Sequence, residues 1–257
     1  MRTDTGRPAA ARRWVDLEAV DNVRDLGGLP VIGGGTTRFG VVYRSSTLQH
    51  ATASDLATLL GPIGLRTVID LRLPDEVARE GYGPLAAAPV RVANLPIRKS
   101  PHSSLAARDL VPDRSRVDLV ELYGQLVAGS AGELVAAARL VADSDRHAVV
   151  FHCAAGKDRT GVLAAVLLDA VGVPAEAIAA DYELTNERMR RVRDRLDALP
   201  SYRGLPAAGT GILAVDPETM VRFLEDLHAD HGGAAEWLRA QGLSARELEK
   251  LRAVLTH

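Results

Sequence analysis

One cysteine in 257 residues is the sharpest scarcity in the sequence. A single thiol forms no internal disulfide and excludes metal sites built from several thiolates, so Cys153 is either a small buried hydrophobe or a reactive nucleophile. Aromatic residues are 4% of the chain, too few for an extended base-stacking surface, which leaves Leu, Val and Ala to build the interior. A dominant sign of charge is lacking too. With 31 basic and 33 acidic residues and a net charge of −2, no global field recommends nucleic acid or an anionic membrane, and any anion site is local. No stretch approaches about 18 uncharged apolar residues, and residues 1–13 lack the apolar run of a secretory signal. The expectation is a cytoplasmic protein without stable membrane association. The 47% hydrophobic and 25% charged content is that of a globular protein with a sizeable core.

Residues 1–14 read as a mobile tail and 15–257 as a single domain. The turn-rich run Asn22-Val23-Arg24-Asp25-Leu26-Gly27-Gly28 and the corner Gly33-Gly34-Gly35 precede a β-like run at 39–43, which together predict an N-terminal hairpin. Residues 66–71, 90–95 and 148–151 read as strands. Helical spacing marks 52–60, a short helix from Pro74, 116–128, 133–142 and an almost wholly apolar 160–171. Beyond Pro174 the pattern is helical, with starts at Asp216-Pro217-Glu218 and at the capping box Ser244-Ala245-Arg246-Glu247. Strands alternating with helices imply an α/β fold, a central, mostly parallel sheet flanked by helices, with a helical C-terminal continuation over 212–257.

The segment that carries chemistry is His152-Cys153-Ala154-Ala155-Gly156-Lys157-Asp158-Arg159-Thr160-Gly161, between a β-run and an apolar helix. Five residues separate the cysteine from the arginine. A loop of that length, ending on a helix N-terminus, can curl its successive N–H groups around one tetrahedral anion. The small residues Ala154 and Ala155 and the glycine Gly156 allow the close approach such a curl needs. Arg159 offers a planar fork that grips two phosphate oxygens, and donors that hold a dianion also favour a thiolate. An isolated strand-end cysteine is usually packing, but this arrangement around it makes Cys153 a nucleophile candidate.

These residues complete the HCxxGxxR signature, followed by Ser or Thr, and so the chain resembles the cysteine-dependent protein tyrosine phosphatase superfamily. With Asn22-x-Arg24-Asp25-Leu26-Gly27-Gly28, Tyr43-Arg44-Ser45-Ser46 and Val68-Ile69-Asp70-Leu71-Arg72, it is similar to a bacterial branch typified by a secreted mycobacterial tyrosine phosphatase. The resemblance spans most of positions 15–200. It implies a phosphotyrosine phosphatase-like fold and hydrolysis of phosphotyrosine, with phosphoserine, phosphothreonine or phosphoinositides as further substrates, through a cysteinyl-phosphate. It implies catalytic roles for Cys153, Arg159 and Asp158, phosphate binding by Ala154, Ala155, Gly156, Lys157 and Thr160, an orienting role for His152, and neither metal nor cofactor. It also implies a helical lid, matching residues 181–211.

The general acid is open at this level, because no Trp-Pro-Asp-type loop precedes the cysteine. Asp158 is the first candidate and Asp70 the second, followed by Asp109 or Asp113. Arg44 either helps to bind substrate phosphate or pairs with an acid. Asn22, Arg24 and Asp25 read as turn residues packed against the active-site face, the arginine-rich 183–197 as a solvated helix or lid, and His228 with His231 as surface. Competing readings are a non-catalytic phosphate-binding module, a phosphatase of a small metabolite, and sulfur transfer or arsenate reduction, the reductases usually needing further cysteines.

Overall fold

The computed structural model describes residues 13–98 and 117–257. Its centre is a five-stranded sheet: β1 (Arg24–Asp25), β2 (Val42–Ser45), β3 (Thr67–Asp70), β4 (Arg91–Asn94) and β5 (Val149–His152), in the order β1-β2-β5-β3-β4. Only β1 runs antiparallel, closing the predicted hairpin against β2, while β2, β5, β3 and β4 are parallel. The β-branched and aromatic sequences Thr-Val-Ile-Asp and Val-Val-Phe-His are buried along their whole length, as strands covered on both faces must be.

Among the described residues, ten helices surround the sheet: α1 (Ala53–Leu60), α2 (Pro74–Glu80), α3 (Leu119–Gly129), α4 (Ala131–Ala142), α5 (Asp158–Ala170), α6 (Ala175–Glu183), α7 (Asn186–Asp197), α8 (Pro217–His231), α9 (Ala234–Ala240) and α10 (Ala245–Leu255). Thr52 and Ser244 cap α1 and α10 through complete capping boxes. The apolar α5 is buried nearly all round, and α3, α6 and α9 pack against it. The helical pattern expected beyond Pro174 begins with two helices, α6 and α7, separated by a turn at Leu184 and Thr185, where Thr185 Oγ1 accepts from Arg24 Nη2 at 3.1 Å.

Register places the site. Ser45 and Asp70 both stand opposite His152, so the segments leaving β2, β3 and β5 emerge side by side at the carboxyl edge of the sheet, where open α/β sheets place ligands. Residues 1–12 of the expected tail lie outside the described residues. Arg13 and Trp14 are fixed: Arg13 Nε donates to Asp25 O at 2.8 Å, and Trp14 bridges to Arg24 and stacks under the guanidinium groups of Arg24 and Arg188.

Candidate active site

Cys153 leaves the end of β5 and is 3% exposed. The chain then turns through 154–157 into α5, whose first residues are Asp158 and Arg159. Gly156 has φ +69°, and a Cβ there would lie 2.4 Å from Ser45 O, a clash with main chain that no other residue avoids. The turn is held from one side. Ala154 O accepts from Thr47 N at 2.9 Å, Ala155 O from Asn22 Nδ2 at 3.3 Å, and Gly156 O from Asn22 Nδ2 at 3.0 Å and Arg44 Nη2 at 2.9 Å. In a trans peptide the next N–H points opposite to the carbonyl, so this pattern turns the N–H groups of 155–157 to the other side. Lys157 O follows suit, accepting from Gly161 N inside the helix at 2.6 Å and from Arg44 at 3.4 Å. Among the described residues nothing accepts from the N–H groups of 155–158. The start of α5 adds its dipole to this row of donors.

Arg159 is 8% exposed, and its guanidinium is gripped by Glu76 in α2: Nη1 donates to Oε2 at 2.6 Å and Nη2 to Oε1 at 3.0 Å. Glu76 also accepts from Leu73 N at 2.8 Å and from the Tyr202 hydroxyl. Burial pushes the Glu76 carboxyl up, but the charge and hydrogen bonds of Arg159 outweigh it and leave the group below its ordinary value. Burial acts downward on Arg159, and Glu76 with the Cys153 sulfur reverses that, raising it well above its ordinary value.

Lys157 and Asp158 form a second cluster. Lys157 Nζ, fully buried, lies 2.8 Å from Asp158 Oδ1 and donates to Ala214 O at 2.7 Å and to the Tyr182 hydroxyl at 3.4 Å. The Tyr123 hydroxyl donates to Asp158 Oδ1 at 2.8 Å and lies 2.7 Å from that of Tyr182. With these partners the ammonium is spent, so the phosphate contact expected of Lys157 requires it to leave them. Asp158 keeps a 19% exposed side chain.

Asp70 is placed differently. It is fully buried, and both of its oxygens accept from Arg72, the closest contact being 2.7 Å. Burial raises its pKa, and His152 and Arg72 more than cancel that, holding it below the ordinary value; a carboxyl so held is a poor proton donor. His152 Nδ1 is 3.0 Å from Cys153 O, and burial keeps its pKa below the ordinary value. Thr160 is buried behind Arg159, with no hydrogen-bond partner for Oγ1 among the described residues. Asp109 and Asp113 lie outside the described residues. Arg44 pairs with an acid, at 2.7 Å, but that acid is Asp181, which also takes Arg13 and Arg24. Burial would raise the Asp181 carboxyl, and the three guanidiniums drive it far below its ordinary value. Arg24 is pushed down to about 9 by burial and by Arg44, and it is still charged at neutral pH.

A helix covers the loop. Val192, Arg195, Leu196 and Leu199, in and after α7, wall a small cavity with Ala154, Thr47 and His50. Arg191 and Arg195 pair with Asp21 at 3.0 and 2.5 Å, and Arg188 with Asp16 at 2.8 Å, so these arginines dock the helix on the N-terminal segment instead of lacing its own surface. The cover begins at α7. Asp181 lies in α6 and is 1% exposed in the core, which moves the start of the expected lid. His228 Nε2 donates to Asp169 Oδ1 at 2.7 Å, tying α8 to α5, and among the described residues no group of three or more His, Cys, Asp or Glu side chains could hold a metal.

Residues 15–257 match the model of the tyrosine phosphatase family. The chain belongs to that family. It is 32% identical over 252 residues to a Cupriavidus necator protein named as a tyrosine-protein phosphatase, covering 90% of this chain and 86% of that one. It is 27% identical over 254 residues to the triple specificity protein phosphatase PtpB of Mycobacterium tuberculosis, covering 85% and 91%. Among solved structures, the core catalytic domain of the PP-IP phosphatase Siw14 of S. cerevisiae aligns at 14% identity with TM-score 0.40, covering 87% of this chain and 98% of that one. As a family member the protein is an enzyme, a protein-tyrosine phosphatase, and phosphotyrosine is its substrate class. Five side chains around the loop escaped sequence reasoning: Glu76, Asp181, Tyr123, Tyr182 and Tyr202. Unpaired arginines in Asn22-x-Arg24 and Tyr43-Arg44 were the available signal that buried carboxylates had to exist elsewhere.

Proposed function

We propose that this phosphatase works through a cysteinyl-phosphate on Cys153. The Cys153 thiolate attacks phosphorus as the bond to the leaving oxygen breaks, and Asp158 gives its proton to that oxygen. Water then attacks phosphorus, Asp158 takes a proton from it, the P–S bond breaks, and inorganic phosphate leaves with the thiolate restored. Arg159 and the N–H groups of 155–158 stabilise the equatorial oxygens, Thr160 supports the departing thiolate, and His152 orients the loop as a neutral ring. Protonating a phenolic leaving group contributes about 10²–10⁴-fold. Asp158 suits this role because its carboxyl is partly exposed, whereas Asp70 is buried with both oxygens on Arg72; carrying a proton requires the pair between Asp158 and Lys157 to open.

The observation that carries the reading is the polarity of the loop: carbonyls fastened behind, N–H groups in front, and Cys153 and Arg159 at the two ends. The name of the mycobacterial relative, triple specificity, supports phosphomonoesters beyond phosphotyrosine. Substrate enters when the cover formed by α7 and Tyr202 opens, because Cys153 is buried in the closed arrangement.

The test is turnover of an aryl phosphate in EDTA, with orthovanadate as inhibitor, for the wild type and for Cys153→Ser. The reading expects EDTA-resistant, vanadate-sensitive turnover that the serine variant loses. Sustained turnover by the serine variant, or phosphopeptide binding without hydrolysis by the wild type, contradicts it.

A further inference from the structure

The rear of the phosphate loop is as specifically built as its front. Asn22 has φ +60° and is 2% exposed, a left-handed backbone that asparagine, aspartate and glycine tolerate and most residues do not. Its amide is oriented by its neighbours. The Arg24 guanidinium can only donate, and Nη1 donates to Asn22 Oδ1, so Nδ2 faces the loop, where it reaches Gly156 O at 3.0 Å and Ala155 O at 3.3 Å. Arg24 is fixed in turn by Asp181 and Thr185, and Arg44 spans from Asp181 to Gly156 O. A chain of contacts thus runs from Asp181 in α6 through Arg24 and Asn22 into the loop.

We propose that Asn22 and Arg44 are positioning residues for phosphate: by fastening the carbonyls of 155–157 from behind, they aim the N–H groups of 156–158 at the bound phosphoryl group. This rests on the phosphatase reading above. The geometry is coercive because each planar peptide unit couples its carbonyl to the following N–H. A carbonyl released from the rear can rotate forward, replacing a donor with an acceptor that repels the phosphate. The hub also contributes charge, since three buried guanidiniums, Arg13, Arg24 and Arg44, face the single carboxylate of Asp181. Among the described residues this leaves a surplus of positive charge behind the loop, reduced by the Asp25 carboxyl that also acts on Arg13, and the surplus favours an anion in front.

Asn22→Asp isolates the amide. It keeps the size, the left-handed backbone and the acceptor for Arg24, and its charge is welcome beside a net-positive hub, but it sets an oxygen against the carbonyls of Ala155 and Gly156. Asn22→Gly is the companion, keeping the backbone and deleting the donor. The measurements are the inhibition constant of orthovanadate, kcat and KM for an aryl phosphate, and the thermal midpoint. Both variants are expected to fold, with vanadate inhibition and kcat/KM each weakened about tenfold or more, the worth of a lost buried hydrogen bond. A merely structural role lowers the midpoint and the active fraction but leaves the vanadate constant of the folded enzyme unchanged, and that result overturns the proposal. Failure of Asn22→Gly to fold also counts against it. A wild type that neither hydrolyses the ester nor responds to vanadate overturns the phosphatase reading instead.

Discussion

Glu76 grips Arg159 with both oxygens, at 2.6 and 3.0 Å, across 83 residues of sequence. The pair is buried, with side chains 1% and 9% exposed, and in such a setting removing one partner is costly because it strands the other charge. Glu76→Ala is expected to lower stability by about 3–5 kcal/mol and to cut kcat/KM, since an unheld guanidinium no longer presents its fork to two phosphate oxygens. Urea unfolding and steady-state kinetics on the same preparation check this. Unchanged values in both place Glu76 outside the site.

Three buried carboxyls, Asp70, Glu76 and Asp181, are each held below their ordinary values by arginine partners, with His152 also acting on Asp70. A carboxyl depressed on folding stabilises the protein above its unfolded pKa of about 4, and that contribution is lost as pH falls toward the folded value. Stability is therefore expected to decline gently below about pH 6.5, where His152 takes up a proton only in the unfolded chain, and to fall steeply below about pH 4. Asp181→Asn is expected to lower the neutral plateau and flatten the acid limb. Denaturation midpoints at pH 7, 5 and 3, each set by about a unit or more from the next, test the sign. A midpoint that rises on acidification contradicts the assignment.

Asp158→Asn removes the proposed proton donor and keeps the hydrogen bond that Tyr123 gives to Asp158 Oδ1. The loss in kcat/KM is expected to grow with the pKa of the leaving group, reaching about 10²-fold or more for phenyl phosphate and much less for p-nitrophenyl phosphate. An equal loss on both esters assigns proton transfer to another group.

Tyr202 donates to Glu76, and its phenol lies in the segment that follows α7. Tyr202→Phe removes a hydrogen bond to a buried carboxylate and so loosens the cover without touching the loop. Iodoacetamide alkylation of Cys153 and inactivation by peroxide are expected to quicken together by about tenfold. With no second thiol to shield Cys153 by disulfide formation, the cover is its protection. Equal rates in the two proteins contradict that.

The sequence carried the loop and the elements around it because both are local signals. A β-branched run ends in His152-Cys153, a glycine sits where the chain must pass against Ser45, and an apolar helix begins at the arginine. The partners of these residues were hidden because they depend on strand order. Glu76 reads as a first-turn acid of a short helix, and it becomes the holder of Arg159 only because β3 lies beside β5 and their C-terminal ends are level. Asp181 sits in a charged stretch that resembles the start of a lid. It is recognised as a hub only when the hairpin of β1 and β2 brings Arg24 and Arg44 to α6, with Arg13 held beside them on Asp25 O. Tyr123 and Tyr182 look like core aromatics in their helices, and they are, with hydroxyls that also reach Asp158 and Lys157.

The most direct test of the mechanism is to catch the intermediate. Asp158→Asn slows attack on the aryl ester, and on the reading above it also slows hydrolysis of the cysteinyl-phosphate, because the same carboxylate takes the proton from the water that attacks phosphorus. Acid quench of that variant during turnover of p-nitrophenyl phosphate, followed by peptide mass spectrometry, is predicted to find one phosphoryl group on Cys153 that disappears in Cys153→Ser. Active enzyme with an unmodified Cys153 at every time point, or a phosphoryl group on any other side chain, contradicts the cysteinyl-phosphate.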